Sequence, residues 1–71
     1  MINWHYTRRE KQVLTLLSEG LNNIEMAATL GVHPQTISTR ATELYAKTGA
    51  VNREELFKIA CRWRAMRLDV A

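Results

Sequence analysis

Short uncharged side chains that form hydrogen bonds recur between residues 35 and 42, although 24% of the chain is charged. If this stretch is helical, at about 100° per residue, one arc collects Gln35, Ser38, Thr39 and Thr42, with Ala46 beside them. Hydroxyl and amide groups donate and accept hydrogen bonds. The sequence offers no nucleophile–base pair, paired carboxylates or Gly-rich phosphate loop. It therefore predicts recognition by hydrogen bonding and no enzyme activity.

One flank of this polar arc carries the charged side chains. The flanking residues are Thr36, Arg40, Glu43 and Lys47. Such a helix suits the major groove of double-stranded DNA, where Gln35 could pair with adenine and threonine methyl groups could touch thymine. Arg40 and Lys47 would then reach phosphates. The alternative is an idle solvated face, although Lys and Glu are more usual than Ser and Thr on such a surface.

Start and stop signals predict four helices in an all-α domain that spans residues 1–71. Their expected bounds are about 8–19, 23–30, 34–48 and 53–68. Thr7 with Glu10, and Asn22 with Glu25, have the spacing of capping boxes, in which side chain and backbone groups bond reciprocally. These local signals place the polar arc on the third helix.

A tight corner separates the second and third helices. About three residues that include Gly31 connect them, and Pro34 suits the first position of the third helix because proline lacks an amide hydrogen. A short glycine-containing corner between two helices is typical of a helix-turn-helix. Before the first helix, the alternating Ile2, Trp4 and Tyr6 predict a short N-terminal arm that packs on the bundle.

Composition limits the remaining possibilities. The chain has 71 residues, a net charge of +3 and a pI of about 9.5, which permits a polyanionic partner. Cys61 is the only cysteine, and His5 and His33 stand apart, so neither a disulfide within the chain nor a metal centre is expected, and no cofactor is predicted. The absence of a signal peptide or membrane span predicts a cytoplasmic, nucleoid-associated protein. The start at Met1 favours a complete small protein over an excised output domain.

The predicted fourth helix carries two apolar stripes. The first stripe contains Leu56, Ile59, Ala60, Trp63 and Met66, and the second contains Phe57, Cys61 and Leu68. A terminal helix of a small bundle needs only one stripe, so the extra one predicts an interface between two copies of the chain. We expect Phe57, Cys61, Trp63 and Leu68 to form it, with Trp63 as the anchor. Alternatively, both stripes serve one core beneath the N-terminal arm.

Residues 6–56 resemble the LuxR-type (NarL/GerE-type) DNA-binding domain of bacterial transcription regulators. The matching positions are Thr7, Arg9, Glu10, Val13, Leu14, Gly20, Asn23, Glu25, Ala27, Leu30, Thr36, Ile37, Lys47, Gly49, Asn52, Arg53 and Glu55. Their order and spacing need no gap. The resemblance implies a four-helix domain that places its third helix in the major groove, pairs through its fourth helix and regulates transcription.

The resemblance also implies roles for individual residues. It assigns base contacts to Ser38, Thr39 and Thr42, and phosphate contacts to Asn23, Thr36, Arg40 and Lys47. The chain departs from the family at His33, where serine is usual, at Arg40, where histidine is usual, and at Ile24 and Ser38, where basic residues are usual. Losing a lysine at position 38 should weaken non-specific DNA binding and flatten its salt dependence.

Two functions follow from these observations. The first is a sequence-specific transcription regulator that acts as a homodimer on double-stranded DNA. The second is a protein–protein module that binds and inhibits another LuxR-type regulator, which the lost basic residues and the extra apolar stripe would suit. Contact with RNA polymerase is compatible with the first function and has no signature in the sequence.

Overall fold

A computed structural model describes residues 6–70, with side chains up to residue 66. It contains four helices: α1 (Arg8–Ser18), α2 (Asn23–Leu30), α3 (Pro34–Thr48) and α4 (Arg53–Val70). The predicted all-α, four-helix class is confirmed. α1 ends one residue earlier than expected and α4 extends two residues further. The predicted N-terminal arm lies outside the described residues except for Tyr6.

Reciprocal capping begins the first two helices, as the sequence predicted. The Thr7 hydroxyl accepts a hydrogen bond from the Glu10 amide at 3.1 Å, and the Glu10 carboxylate accepts one from the Thr7 amide at 2.7 Å. Asn22 and Glu25 repeat this pattern, with both distances at 2.8 Å. Each box satisfies amides that have no partner within the helix, and it fixes the first turn.

Three local features form the corner before α3. Gly31 ends α2 with φ of 69° and ψ of 35°, a left-handed conformation that glycine adopts without steric cost. His33 Nδ1 accepts a hydrogen bond from the Gln35 amide at 3.1 Å, so His33 caps α3, and Pro34 follows as the first helical residue. This geometry sets the direction in which α3 leaves α2.

The core lies between α1 and the other three helices. Its buried apolar residues are Tyr6, Val13, Leu14, Leu17, Met26, Ala27, Ile37, Leu44, Leu56, Ala60 and Trp63. Burying aliphatic and aromatic surface is the main force that holds a helical domain of this size together. Ile37, Ala41 and Leu44 form the apolar arc of α3 and are buried, which leaves the polar arc of this helix outward.

Trp63 belongs to this core. Its side chain is only 3% exposed, and its ring meets the Tyr6 ring edge-on, with centroids 6.3 Å apart and an interplanar angle of 85°. The prediction that Trp63 anchors a dimer interface is corrected accordingly. The period of α4 revealed two apolar stripes, but it did not reveal that the stripe of Trp63 is the one that packs on α1 and Tyr6.

A partly buried ion pair links the start of α1 to the end of α3. Lys47 Nζ lies 2.7 Å from Glu10 Oε1, with the Glu10 side chain 8% exposed and the Lys47 side chain 24% exposed. Lys47 Nζ also lies 5.6 Å from the centroid of the Tyr6 ring. Burial alone would raise the pKa of Glu10, but the hydrogen bonds from Lys47 and Thr7 outweigh it and lower that pKa.

The lowered pKa of Glu10 makes the stability of the domain pH-dependent. A carboxylate whose pKa is lower in the folded state stabilises that state above its unfolded pKa, and the contribution disappears as the pH falls through the folded value. We expect the difference in free energy of unfolding between the wild type and Glu10→Gln to be constant above pH 4.5, the ordinary pKa of the group, and to shrink as the pH falls below it. Urea denaturation between pH 3 and pH 7 measures both. Parallel curves would contradict this account.

Candidate nucleic-acid interface

The outer face of α3 is exposed and makes no contribution to the core. Gln35, Thr39, Thr42 and Ala46 are exposed along it, whereas Ile37, Ala41 and Leu44 are buried on the opposite side. The side chains on the outer face are short and uncharged, so the helix backbone can come close to a flat polar surface. Of the predicted base-contacting residues, only Ser38 is half-buried.

Both threonines on this face have already used their hydroxyl hydrogens. Thr39 Oγ1 donates to the Gln35 carbonyl at 3.1 Å, and Thr42 Oγ1 donates to the Ser38 carbonyl at 3.0 Å. Each threonine therefore presents oxygen lone pairs and a methyl group to an incoming ligand. The lone pairs match the amino groups of adenine and cytosine, and the methyl group matches the methyl group of thymine.

Ser38 lies in a different hydrogen-bonding environment. Its Oγ accepts a hydrogen bond from Asn23 Nδ2 on α2 at 3.3 Å. The other end of the Asn23 amide, Oδ1, accepts from Arg53 Nη1 on α4 at 2.9 Å, and Arg53 Nη2 donates to the Leu21 carbonyl at 3.3 Å. Side chains from α2, α3 and α4 are thus joined by hydrogen bonds beside the outer face of α3. Asn23, predicted to contact phosphate, sits inside this network.

Sequence reasoning missed Arg53 as part of this site. Arg53 matched the family pattern, but its partner Asn23 is 30 positions away and belongs to another helix. No local spacing signals such a contact, since capping and helix-face patterns operate within a few residues. The guanidinium uses two of its five N–H groups here, which leaves others for an anionic partner.

The predicted phosphate-contacting residues differ in what surrounds them. Thr36 and Arg40 are half-buried on the flank of α3, next to its outer face. Lys47 instead forms the ion pair with Glu10 at 2.7 Å and approaches the Tyr6 ring. We therefore assign Lys47 a structural role, and we do not carry it forward as a phosphate contact.

This assignment of Lys47 predicts a specific pattern in a double-mutant cycle. Lys47→Met should destabilise the domain by about 2–4 kcal/mol because it leaves the Glu10 carboxylate buried without a counterion. Adding Glu10→Gln should restore most of that loss, since neither charge then remains. Urea denaturation of the wild type, the two single variants and the double variant gives the coupling energy between Lys47 and Glu10. A stable Lys47→Met protein whose DNA binding has lost salt dependence would show a phosphate contact instead.

The outward side of α4 partly matches the predicted second stripe. The Phe57 side chain is 39% exposed and lines a shallow groove of about 360 Å³ with Leu17 and Leu21. Cys61 is half-buried, and its Sγ lies 3.8 Å from the Ser18 carbonyl. The side chain of Leu68 lies outside the described residues.

The described arginines near the end of α4 differ in their surroundings. Arg64 is held by Ser18 Oγ at 3.0 Å and Glu19 Oε2 at 3.3 Å, and Arg62 is exposed. Among the side chains that the structure describes, no three His, Cys, Asp or Glu residues are grouped to hold a metal ion. Within the described ranges, none of the helices has the length and hydropathy of a membrane span.

Comparison with known proteins identifies relatives of this domain. The family model described as "Bacterial regulatory proteins, luxR family" matches residues 5–60. The chain is 43% identical over 56 residues to a protein of Mycobacterium tuberculosis (strain ATCC 25618 / H37Rv) that is named as an HTH-type transcriptional regulator, covering 79% of the chain and 6% of that protein. It is 39% identical over 59 residues to Response regulator Rre1 of Synechocystis sp., covering 83% of the chain and 26% of that protein.

A Bacillus subtilis relative extends the comparison. Transcriptional regulatory protein YdfI is 35% identical over 63 residues, which cover 89% of the chain and 30% of that protein. The chain thus spans less than a third of the length of each of these three relatives. No solved structure shows a significant match.

Proposed function

The chain belongs to the luxR family of bacterial regulatory proteins, and from this premise we propose that it binds specific sequences of double-stranded DNA and regulates transcription. In this proposal α3 lies in the major groove, with Gln35, Ser38, Thr39 and Thr42 facing base edges. Such a regulator would work in the cytoplasm, at the nucleoid.

The exposed outer face of α3 is the observation that carries the proposal. The opposite side of the same helix is buried in the core, so the domain presents this face outward. A major groove about 12 Å wide accepts an α-helix, and short polar side chains permit direct contact with base edges. An idle helix surface would more often carry Lys and Glu.

The phosphate contacts in this proposal come from the rim of that face. Arg40 and Thr36 lie on the flank of α3, and Arg53 lies beside Asn23 at the start of α4. Arg53 replaces Lys47 as the second cation because Lys47 is paired with Glu10. Two cations per subunit are a small number for a DNA-binding domain, so base contacts and pairing of subunits must supply much of the affinity.

Pairing of two chains through α4 is the second part of the proposal. Phe57 and Cys61 offer an apolar surface next to the shallow groove, and Leu68 continues the same stripe in the sequence. A two-fold contact would bring the same surface of each copy together. Such a dimer would read two half-sites about one helical turn apart.

The salt dependence of DNA binding should report these phosphate contacts. With Arg40 and Arg53 from each of two subunits, log K should fall against log salt with a slope of about −3 to −4. Arg40→Gln should reduce the magnitude of that slope by about 2. Lys58→Gln, which removes one exposed positive charge on α4, should leave the slope unchanged. Fluorescence anisotropy between 50 and 300 mM salt measures all three proteins, and equal slopes would contradict the assignment of Arg40.

Inhibition of another LuxR-type regulator is the second candidate function. Ile24 is 71% exposed at a position where the family usually carries a basic residue, and Phe57 is exposed on α4. Exposed apolar side chains of this kind suit a protein surface better than a phosphate backbone. An inhibitor of this type would show little affinity for DNA at any salt concentration and would form a heterodimer with a related regulator.

A further inference from the structure

We propose that Arg53 and Asn23 are positioning residues that fix the Ser38 hydroxyl as a hydrogen-bond donor toward DNA. The domain would then select against cytosine at the base that Ser38 contacts. This inference rests on the proposed function, in which α3 lies in the major groove. It concerns how specificity is set, at a position where the family usually has a basic residue.

Arg53 determines which way the Asn23 amide faces. An asparagine amide has an acceptor end, Oδ1, and a donor end, Nδ2, whereas a guanidinium has only donors. The atom of Asn23 at 2.9 Å from Arg53 Nη1 must therefore be Oδ1. The second bond of Arg53, from Nη2 to the Leu21 carbonyl at 3.3 Å, holds the guanidinium in that position. The donor end of Asn23 consequently faces α3.

The donor end of Asn23 in turn determines what Ser38 can do. Asn23 Nδ2 lies 3.3 Å from Ser38 Oγ, so the serine oxygen accepts that bond and its own hydrogen remains available. Among the residues that the structure describes, none accepts the Ser38 hydrogen. Thr39 and Thr42 differ in this respect, since each donates to the carbonyl four residues earlier. Of the three hydroxyl groups on the outer face of α3, the Ser38 hydroxyl is thus the one with a hydrogen to offer.

A fixed donor at Ser38 discriminates among bases. In the major groove, guanine presents two acceptors, N7 and O6, whereas cytosine presents only the N4 amino donor. A donor at Ser38 therefore suits guanine, whereas on cytosine the hydroxyl would use only its remaining lone pair and would leave its hydrogen unpaired. Because one hydrogen bond contributes about 0.5–1.5 kcal/mol, guanine should exceed cytosine by about two- to thirteenfold at that base.

Replacing Asn23 by aspartate should invert this preference. Both oxygens of aspartate accept, so one keeps the bond from Arg53 and the other takes the hydrogen of Ser38. Ser38 would then present only lone pairs, which suit the cytosine amino group. Aspartate at the first residue of a helix is also compatible with the helix dipole, so folding should be retained.

Asn22→Asp is the matched control for the added charge. Asn22 caps α2 by accepting from the Glu25 amide at 2.8 Å, a role that aspartate keeps, and no contact joins it to Ser38 among the described residues. Both variants add one negative charge at the start of α2. They differ in whether that carboxylate can accept from Ser38.

The experiment is selection of binding sites from random duplex DNA by the wild type, Ser38→Ala, Asn23→Asp and Asn22→Asp. Ser38→Ala identifies the base that Ser38 contacts, since the preference at that base should flatten. The inference is supported if guanine exceeds cytosine there for the wild type and for Asn22→Asp, and cytosine exceeds guanine for Asn23→Asp. Circular dichroism establishes that each variant is folded.

Failure of this inference and failure of the proposed function give different results. If the wild type enriches a motif but Asn23→Asp retains the wild-type preference, the positioning role of Asn23 is overturned and the proposed function stands. The same holds if Ser38→Ala leaves every base preference unchanged. If the folded wild type enriches no motif at all, the proposed function fails and the inference fails with it.

Discussion

Replacing Trp63 by alanine should destabilise the domain by about 3–5 kcal/mol, because it removes the largest side chain of the core and leaves a cavity. The side chain is 3% exposed and packs edge-on against Tyr6. The free energy of unfolding of a 71-residue domain is only about 4–10 kcal/mol, so Trp63→Ala would remove a large part of it. Urea denaturation followed by circular dichroism at two protein concentrations measures the effect.

Phe57→Ser is the contrasting variant on the same helix. Phe57 is exposed, so its loss should change the stability of the isolated chain by less than about 1 kcal/mol. If α4 pairs two chains, the same change should weaken the dimer, which sedimentation equilibrium detects. A Trp63→Ala chain that keeps its stability but no longer dimerises would contradict the assignment of Trp63 to the core. It would show that Trp63 belongs to the dimer interface.

The double variant Thr39→Ala/Thr42→Ala should lose about a hundred- to a thousandfold in affinity for the selected DNA site. A dimer would lose four base-facing hydroxyls, and each lost base contact costs about 1 kcal/mol or more. Affinity for random DNA should stay the same, because no charge is removed. Alanine favours helix more than threonine does, so stability should not fall. Anisotropy titrations with the selected site and with random duplex compare the two affinities.

Thr15→Ala/Thr29→Ala provides a matched control for that variant. These two threonines also donate to carbonyls four residues earlier, at 2.9 Å each, but they lie on α1 and α2. Their removal changes the chemistry of the chain in the same way without touching the outer face of α3. If this control loses as much affinity for the selected site, the loss seen in Thr39→Ala/Thr42→Ala does not come from missing base contacts.

The sequence predicted features that depend on neighbours three or four positions away. The boxes of Thr7 with Glu10 and of Asn22 with Glu25 are of this kind. The faces of α3 followed from the helical period, because a single apolar arc has only one direction in which to be buried. This is why the predicted outer face agrees with the observed exposure.

The sequence did not predict contacts between residues that are far apart in the chain. Lys47 and Glu10 are separated by 37 positions, and the pair forms only because α1 and α3 cross there. The contact between Arg53 and Asn23 has the same origin. On α4 two apolar stripes compete, and the packing of Tyr6 on Trp63 decides which of them is buried. Such outcomes depend on the arrangement of whole helices.

Selection of binding sites from random duplex DNA by the wild-type chain tests the central claim most directly. The account predicts enrichment of an inverted repeat whose half-sites lie about one helical turn apart. Enrichment should disappear in Thr39→Ala/Thr42→Ala and persist in Thr15→Ala/Thr29→Ala. A folded wild-type chain that enriches no sequence at low salt would contradict DNA recognition by α3 and favour inhibition of a related regulator.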